Sequence, residues 1–141
     1  MSPRHRLHPY TVGLVALGGA LGASARYGLS LWFPDVGSGF PWTTFAINVV
    51  GSFLLAMLPA LTVVRRNHHL PAFLGTGILG GFTTLSAYSE QARGLVAAGS
   101  VGLAGTYVIG TLLACLGAVA VADRFSSAPA RDEFDEEEGD L

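Results

Sequence analysis

The sequence predicts an all-α membrane protein of four transmembrane helices, and three observations carry that reading. The 141 residues are 50% hydrophobic and only 13% charged, with a mean hydropathy of +0.49. A soluble domain carries about 25% charge. The charges are also segregated, since residues 9–33, 42–64, 70–92 and 99–122 hold almost none. Each stretch reaches the roughly 20 helical residues that a bilayer requires. Residues 1–125 therefore form one membrane unit with no separate soluble domain. Residues 126–141 are different: Asp132, Glu133, Asp135, Glu136, Glu137, Glu138 and Asp140 leave little to bury, and a disordered acidic tail is expected.

The first segment has no small-residue cleavage site closing a short apolar core, and Arg26 lies deep within it, so a cleaved signal peptide is not expected. Arg26 is the one charge clearly inside a span. Two readings stand beside each other: a structural arginine near the interface, paired with a backbone carbonyl or a lipid phosphate, and a functional cation. In the second segment, Asn48 must face protein or water, because a lone amide in lipid is costly. It offers an amide donor to an anion or a carbonyl to another chain. The fourth segment carries Cys115, the single cysteine, which excludes an intramolecular disulfide and a cysteine-built metal site. Its plain reading is a small core residue. His5, His8, His68 and His69 all fall outside the spans and read as interfacial or solvent residues.

The third segment contains GTGILGGFTTLSAYSEQ, Gly75 to Gln91. Non-helical backbone at membrane depth survives only where protein buries it or it lines a cavity. Gly80-Gly81 followed by Thr83-Thr84 suits a break, because glycine tolerates unusual backbone angles and a threonine caps a restarting helix. A break frees carbonyl oxygens, which are good ligands for a hard cation such as Na⁺. Thr83, Ser86 and Ser89 recur every three residues as a hydroxyl stripe, with Tyr88 beside it. The alternative is an unbroken glycine-rich helix packed against its neighbours, its serines bonded to their own carbonyls, and spacing alone slightly favours it.

Small residues pair at helical spacing in Gly18/Gly22, Ser24/Gly28, Gly77/Gly81 and Gly110/Ala114. Such pairs let helices approach closely in lipid. They serve packing within the chain or a dimer face. A dimer is expected on size grounds, because four helices hardly enclose a polar pathway alone. Arg4, Arg6, Arg65, Arg66, Arg124 and Arg131 share one side, whereas the loop from Pro34 to Pro41 carries Asp35 and no basic residue; Arg93 is near the end of the third span. The positive-inside rule puts both termini in the cytoplasm. No Asp, Glu or Lys lies well inside a span, which argues against a proton-coupled exporter of cations. No acid, base and nucleophile cluster appears in the spans, and an enzyme is not expected.

Three motifs together resemble the small four-helix fluoride channels of the Fluc (CrcB) type. They are GGALGASARY (18–27), TTFAINVVGSFLLA (43–56) and GTGILGGFTTLSAYSEQ (75–91), and the likeness covers nearly all of residues 10–122. The resemblance implies an antiparallel dual-topology dimer in the bacterial plasma membrane, its third helices broken at mid-membrane, with two fluoride pores along the interface. It implies a central structural Na⁺ held by backbone carbonyls, here those of Gly80 and Thr83. Asn48, Ser86, Ser89 and Tyr107 match pore-lining positions, and Arg26 matches a first-helix arginine near the cytoplasmic vestibule. Fluoride is small and tightly hydrated, so its water must be replaced by amide and hydroxyl donors and by electropositive ring edges. A central cation offsets the cost of an anion in low dielectric.

The chain departs from that pattern where the family carries two phenylalanines. TTFSTF reads TTLSAY here, so Leu85 offers no ring edge, Tyr88 adds a hydroxyl, and Ala87 replaces a hydroxyl residue. The strong arginine bias also opposes insertion in both orientations. Both departures point to one half of a heterodimeric channel, paired with an oppositely oriented homologue. A non-conducting structural subunit is the alternative, with a small dual-topology cation exporter behind it.

Overall fold

The computed structural model describes residues 9–35 and 39–126, and among these it is helical with no strand. Helix α1 spans Pro9–Trp32. Pro9 opens it, where a missing N–H costs nothing and the ring presets φ. Helix α2 spans Trp42–Met57. Its first turn is held by Asp35, whose Oδ1 accepts from the Thr43 N–H at 2.9 Å.

The expected span 42–64 is not one helix. Pro59 lies in a 3₁₀ turn, Leu58–Ala60, and Leu61 is extended at φ −87°, ψ 106°. A short helix, α3, Thr62–Arg65, follows. Proline has no N–H to continue the ladder. Arg65 stabilises the corner by donating from Nη1 to the Pro59 carbonyl at 2.6 Å.

The segment 70–92 departs further from a plain helix. Ala72–Leu79 is wound as a π-helix and runs into α4, Gly80–Phe82. Thr83 and Thr84 are extended, and α5 restarts over Leu85–Ala97. Gly99, at φ 78°, turns the chain into α6, Val101–Ala122, which ends in a 3₁₀ turn at Asp123–Phe125. Three described helices are long and apolar enough to cross a membrane, namely Pro9–Trp32, Trp42–Ala60 and Val101–Phe125. The helical pieces of 70–92 are each shorter than a span.

Backbone-to-backbone contact through glycine sets the packing. A Cβ at Gly18 would meet the Phe73 carbonyl oxygen at 2.6 Å, one at Gly22 the Ile78 oxygen at 2.0 Å, and one at Gly81 the Gly19 oxygen at 2.3 Å. The pairs Gly18/Gly22 and Gly77/Gly81 therefore serve packing inside the chain, holding α1 against the π-helix and α4. Gly28 and Gly110 face open space. On the other side, α6 packs on α2 and α5 around Leu95, Ala104 and Tyr107, with Phe40, Phe45 and Tyr88 against them. The outward faces of α1 and α6 expose Leu17, Leu21, Leu31, Leu112, Leu113 and Leu116, as a membrane protein's surface does. The acidic tail, apart from Ser126, and the basic residues Arg4, Arg6 and Arg131 lie outside the described residues.

Candidate functional site

The interruption at Thr83–Thr84 organises the site. Thr83 still belongs to the preceding helix through its N–H, which donates to the Leu79 carbonyl at 3.0 Å, and its hydroxyl donates to the same oxygen at 2.9 Å. Its ψ of 158° then turns the chain out of the helix. In a continuous helix the Thr84 N–H would go to the Gly80 carbonyl. Here it donates to Asn48 Oδ1 at 2.9 Å, while Asn48 Nδ2 donates to the Thr84 carbonyl at 3.1 Å. One side chain from α2 thus satisfies both backbone groups of the extended residue, a demand that is strict away from water.

The restart has its own cap. The Thr84 hydroxyl accepts from the Ala87 N–H at 3.1 Å, the usual service of an N-cap threonine. That N–H would otherwise go to the Thr83 carbonyl. Across the break, Arg26 Nε donates to the Gly81 carbonyl at 3.3 Å. A cation at the carboxyl end of the Ala72–Phe82 helical run is favourable to its dipole. Gly81 is thereby engaged, whereas the Gly80 and Thr83 carbonyls have each lost a helical donor. Backbone oxygens of this kind suit a hard cation. Among the described residues, no cluster of His, Cys, Asp or Glu could hold a metal instead.

Beside the break lies a cavity of about 300 Å³, lined by Asn48, Ser52, Leu55, Thr83, Thr84, Leu85, Tyr88, Thr111, Leu112 and Cys115. None of these side chains is acidic or basic, so the wall supplies neutral donors, a ring and apolar surface. Leu85 is 75% exposed on its rim. The Tyr88 hydroxyl donates to the Val108 carbonyl at 2.8 Å, which turns the ring rather than the hydroxyl toward the space. Tyr107 is fully buried behind it, with the ring centroids 5.1 Å apart. Its hydroxyl donates to Gln91 Oε1 at 2.9 Å, and Phe40 meets its ring edge-on at 5.3 Å and 88°.

The fold therefore brings Asn48, Thr83, Leu85 and Tyr88 to one cavity, with Tyr107 as backing. Ser86 and Ser89 are exposed on α5 and are not lining residues, although Ser86 Oγ lies 3.2 Å from the Thr84 hydroxyl. Gly81 and Arg26 meet on the α1 side of the break, whereas Gly80 is exposed. Sequence reasoning passed over Ser52, Thr111, Gln91 and Phe40, and read Cys115 only as core. Tyr107, Thr111 and Cys115 follow one another at helical spacing of four, a stripe that was available in the sequence. Thr111 even donates its hydroxyl to the Tyr107 carbonyl at 2.6 Å. Nothing local marks Gln91 or Phe40.

Comparison with known proteins gives a consistent result. A family model described as "CrcB-like protein, Camphor Resistance (CrcB)" matches residues 13–122. The chain is 48% identical over 113 residues to "Fluoride-specific ion channel FluC 1" of Streptomyces coelicolor, covering 79% of this chain and 73% of the relative. It is 42% identical to "Fluoride-specific ion channel FluC" of Agrobacterium fabrum, over 77% of this chain and 89% of the relative. A protein of the same name from Thermus thermophilus is 44% identical, over 74% and 87% respectively.

Proposed function

The chain belongs to the CrcB-like family, and from that premise we propose that it is a subunit of a fluoride-specific ion channel that lets cytoplasmic fluoride leave the cell passively. The observation that carries the proposal is the Asn48-clasped interruption at Thr83–Thr84, opening onto a neutral, largely apolar cavity with a few polar groups in its wall. A pump needs a group to couple; this wall has no titratable carboxylate or cation. Its chemistry is to replace water around an anion. The amide of Asn48 has a second N–H beyond the one given to Thr84, and the Tyr88 ring offers an electropositive edge.

The chain spans the membrane four times in this reading, the segment 70–92 crossing as two half-helices with the interruption at mid-depth. Both termini are cytoplasmic. The cavity is open on one side, and the hydroxyls of Ser86 and Ser89 are exposed on the first turns of α5. Hydroxyls left to lipid are costly, so a second, antiparallel subunit covers this face and completes each pathway. The carbonyls of Gly80 and Thr83, stripped of their helical donors, would hold Na⁺ at the dimer axis. Bound there, the ion supplies positive potential that lowers the cost of fluoride in the membrane interior.

The partner is a homologous chain of opposite orientation. The arginine bias fixes one topology, and Leu85 leaves one ring edge missing. A second reading, a non-conducting structural subunit, is favoured by the same exposed Leu85. Reconstitution into liposomes separates them. Fluoride efflux, followed with a fluoride electrode, is expected with the homologous partner and weak or absent without it. Full efflux from this chain alone would overturn the heterodimer, and no efflux under either condition would overturn the conducting subunit.

A further inference from the structure

We propose that Asp35, in the loop between α1 and α2, is a positioning residue that fixes which way the Tyr107 hydroxyl proton points, acting through Gln91. Three elements meet there. Asp35 Oδ2 accepts from Gln91 Nε2 at 3.1 Å, and Gln91 Oε1 accepts from the Tyr107 hydroxyl at 2.9 Å. The other carboxylate oxygen accepts from the Thr43 N–H at 2.9 Å, and the Thr44 hydroxyl lies 3.4 Å from Oδ2. An ionised carboxylate only accepts, so Gln91 must turn its NH₂ toward Asp35. Its oxygen then necessarily faces Tyr107, and the tyrosine must donate. The orientation of a half-buried amide, normally undetermined by shape, is dictated from a loop 56 residues away in sequence.

The consequence reaches the cavity. Tyr107 is fully buried and backs Tyr88, which lines the cavity. Phe40, from the same loop as Asp35, holds the Tyr107 ring edge-on. The loop thus fixes both the ring and the hydroxyl behind the pathway wall. Its contact with Thr43 also makes Asp35 a stabiliser of the α2 N-terminus, so the test must separate the two roles.

Asp35→Asn does so. The amide oxygen of the new side chain keeps the Thr43 N–H, whereas its NH₂ takes the place of Oδ2 and forces Gln91 to present oxygen. Gln91 then turns its own NH₂ to Tyr107, and the tyrosine changes from donor to acceptor. Ultraviolet resonance Raman of full-length protein, each spectrum taken minus its Tyr107→Phe counterpart, reads this directly from the tyrosine Fermi doublet. The donor signature of the wild type is expected to become an acceptor signature in Asp35→Asn. Asp35→Glu, which keeps a carboxylate, is expected to retain the donor signature. An unchanged doublet in Asp35→Asn overturns the proposal.

Fluoride efflux from liposomes holding the complete channel gives the second arm, which alone rests on the fluoride-channel reading. Asp35→Asn is expected to lower the rate about threefold to tenfold, what one net hydrogen bond is worth, and to have no effect in a Tyr107→Phe background. An equal loss in that background would make Asp35 merely structural and overturn the proposal. A wild-type channel without efflux would sink the fluoride reading, leaving the Raman result to decide the role of Asp35.

Discussion

Asn48 and Thr84 close a two-bond ring in which one amide side chain serves both the N–H and the C=O of an extended residue, at 2.9 and 3.1 Å. This pair is why the chain tolerates a gap in a helix where water is scarce. It also binds α2 to the point at which the segment 70–92 changes direction, so the cavity wall and the break are one mechanical unit.

Asn48→Ala should therefore destabilise the protein. It orphans two partly buried backbone groups, each costing about 1–3 kcal/mol. Thermal unfolding in detergent is expected to fall by several degrees, and fluoride efflux to be lost. Asn48→Asp keeps an acceptor for the Thr84 N–H but sets a carboxylate against the Thr84 carbonyl, and should fare no better. Unaltered stability in both variants would mean the pair is dispensable.

Glycine substitutions offer a sharper contrast. At Gly22 an added methyl would meet the Ile78 backbone oxygen at 2.0 Å, and backbone cannot step aside as a side chain can. Gly22→Ala is expected to cost about 1–3 kcal/mol or more, or to prevent folding. Gly28, on the same helix, faces open space. Gly28→Ala should be neutral within about 0.5 kcal/mol when stability is compared side by side.

Arg26 is expected to behave as a cap on the Gly81 carbonyl. Removing a charged donor of this kind costs about 1.5–3 kcal/mol. Arg26→Ala should lower the unfolding temperature, and Arg26→Lys should recover part of it, since ammonium also donates but lacks the planar fork. A stability unchanged in Arg26→Ala would place its role elsewhere.

If the Gly80 and Thr83 carbonyls hold Na⁺, the protein should be stabilised by that ion in proportion to the logarithm of its concentration. Exchanging Na⁺ for a bulky organic cation at constant ionic strength is expected to lower the unfolding temperature of the complete channel. Equal unfolding temperatures in the two salts would remove the cation site.

Leu85→Phe restores a ring edge at the cavity rim. Fluoride efflux should rise, because an electropositive edge replaces an apolar side chain that gives the anion nothing. A fall in rate would mean that Leu85 is fitted to its partner.

The membrane character and the helical composition were legible in the sequence because their causes are local, whereas at Thr83–Thr84 spacing alone slightly favoured an unbroken helix and only the family resemblance implied a break. Apolar run length, segregation of charge, and the Gly80-Gly81 and Thr83-Thr84 pairs all act over a few residues. The corner at Pro59 was legible on the same terms, yet the apolar run through residue 64 concealed it. The tertiary structure alone decided the partners: Asn48 reaches Thr84 across 36 positions, Arg26 reaches Gly81 across 55, and Asp35 reaches Gln91 across 56. Spacing likewise marked four small-residue pairs as equivalent, whereas packing consumed Gly18/Gly22 and Gly77/Gly81 inside the chain and left Gly28 and Gly110 open. Local propensity says where a backbone can break. Which side chain then satisfies the broken groups is a matter of three-dimensional proximity, and no local pattern encodes it.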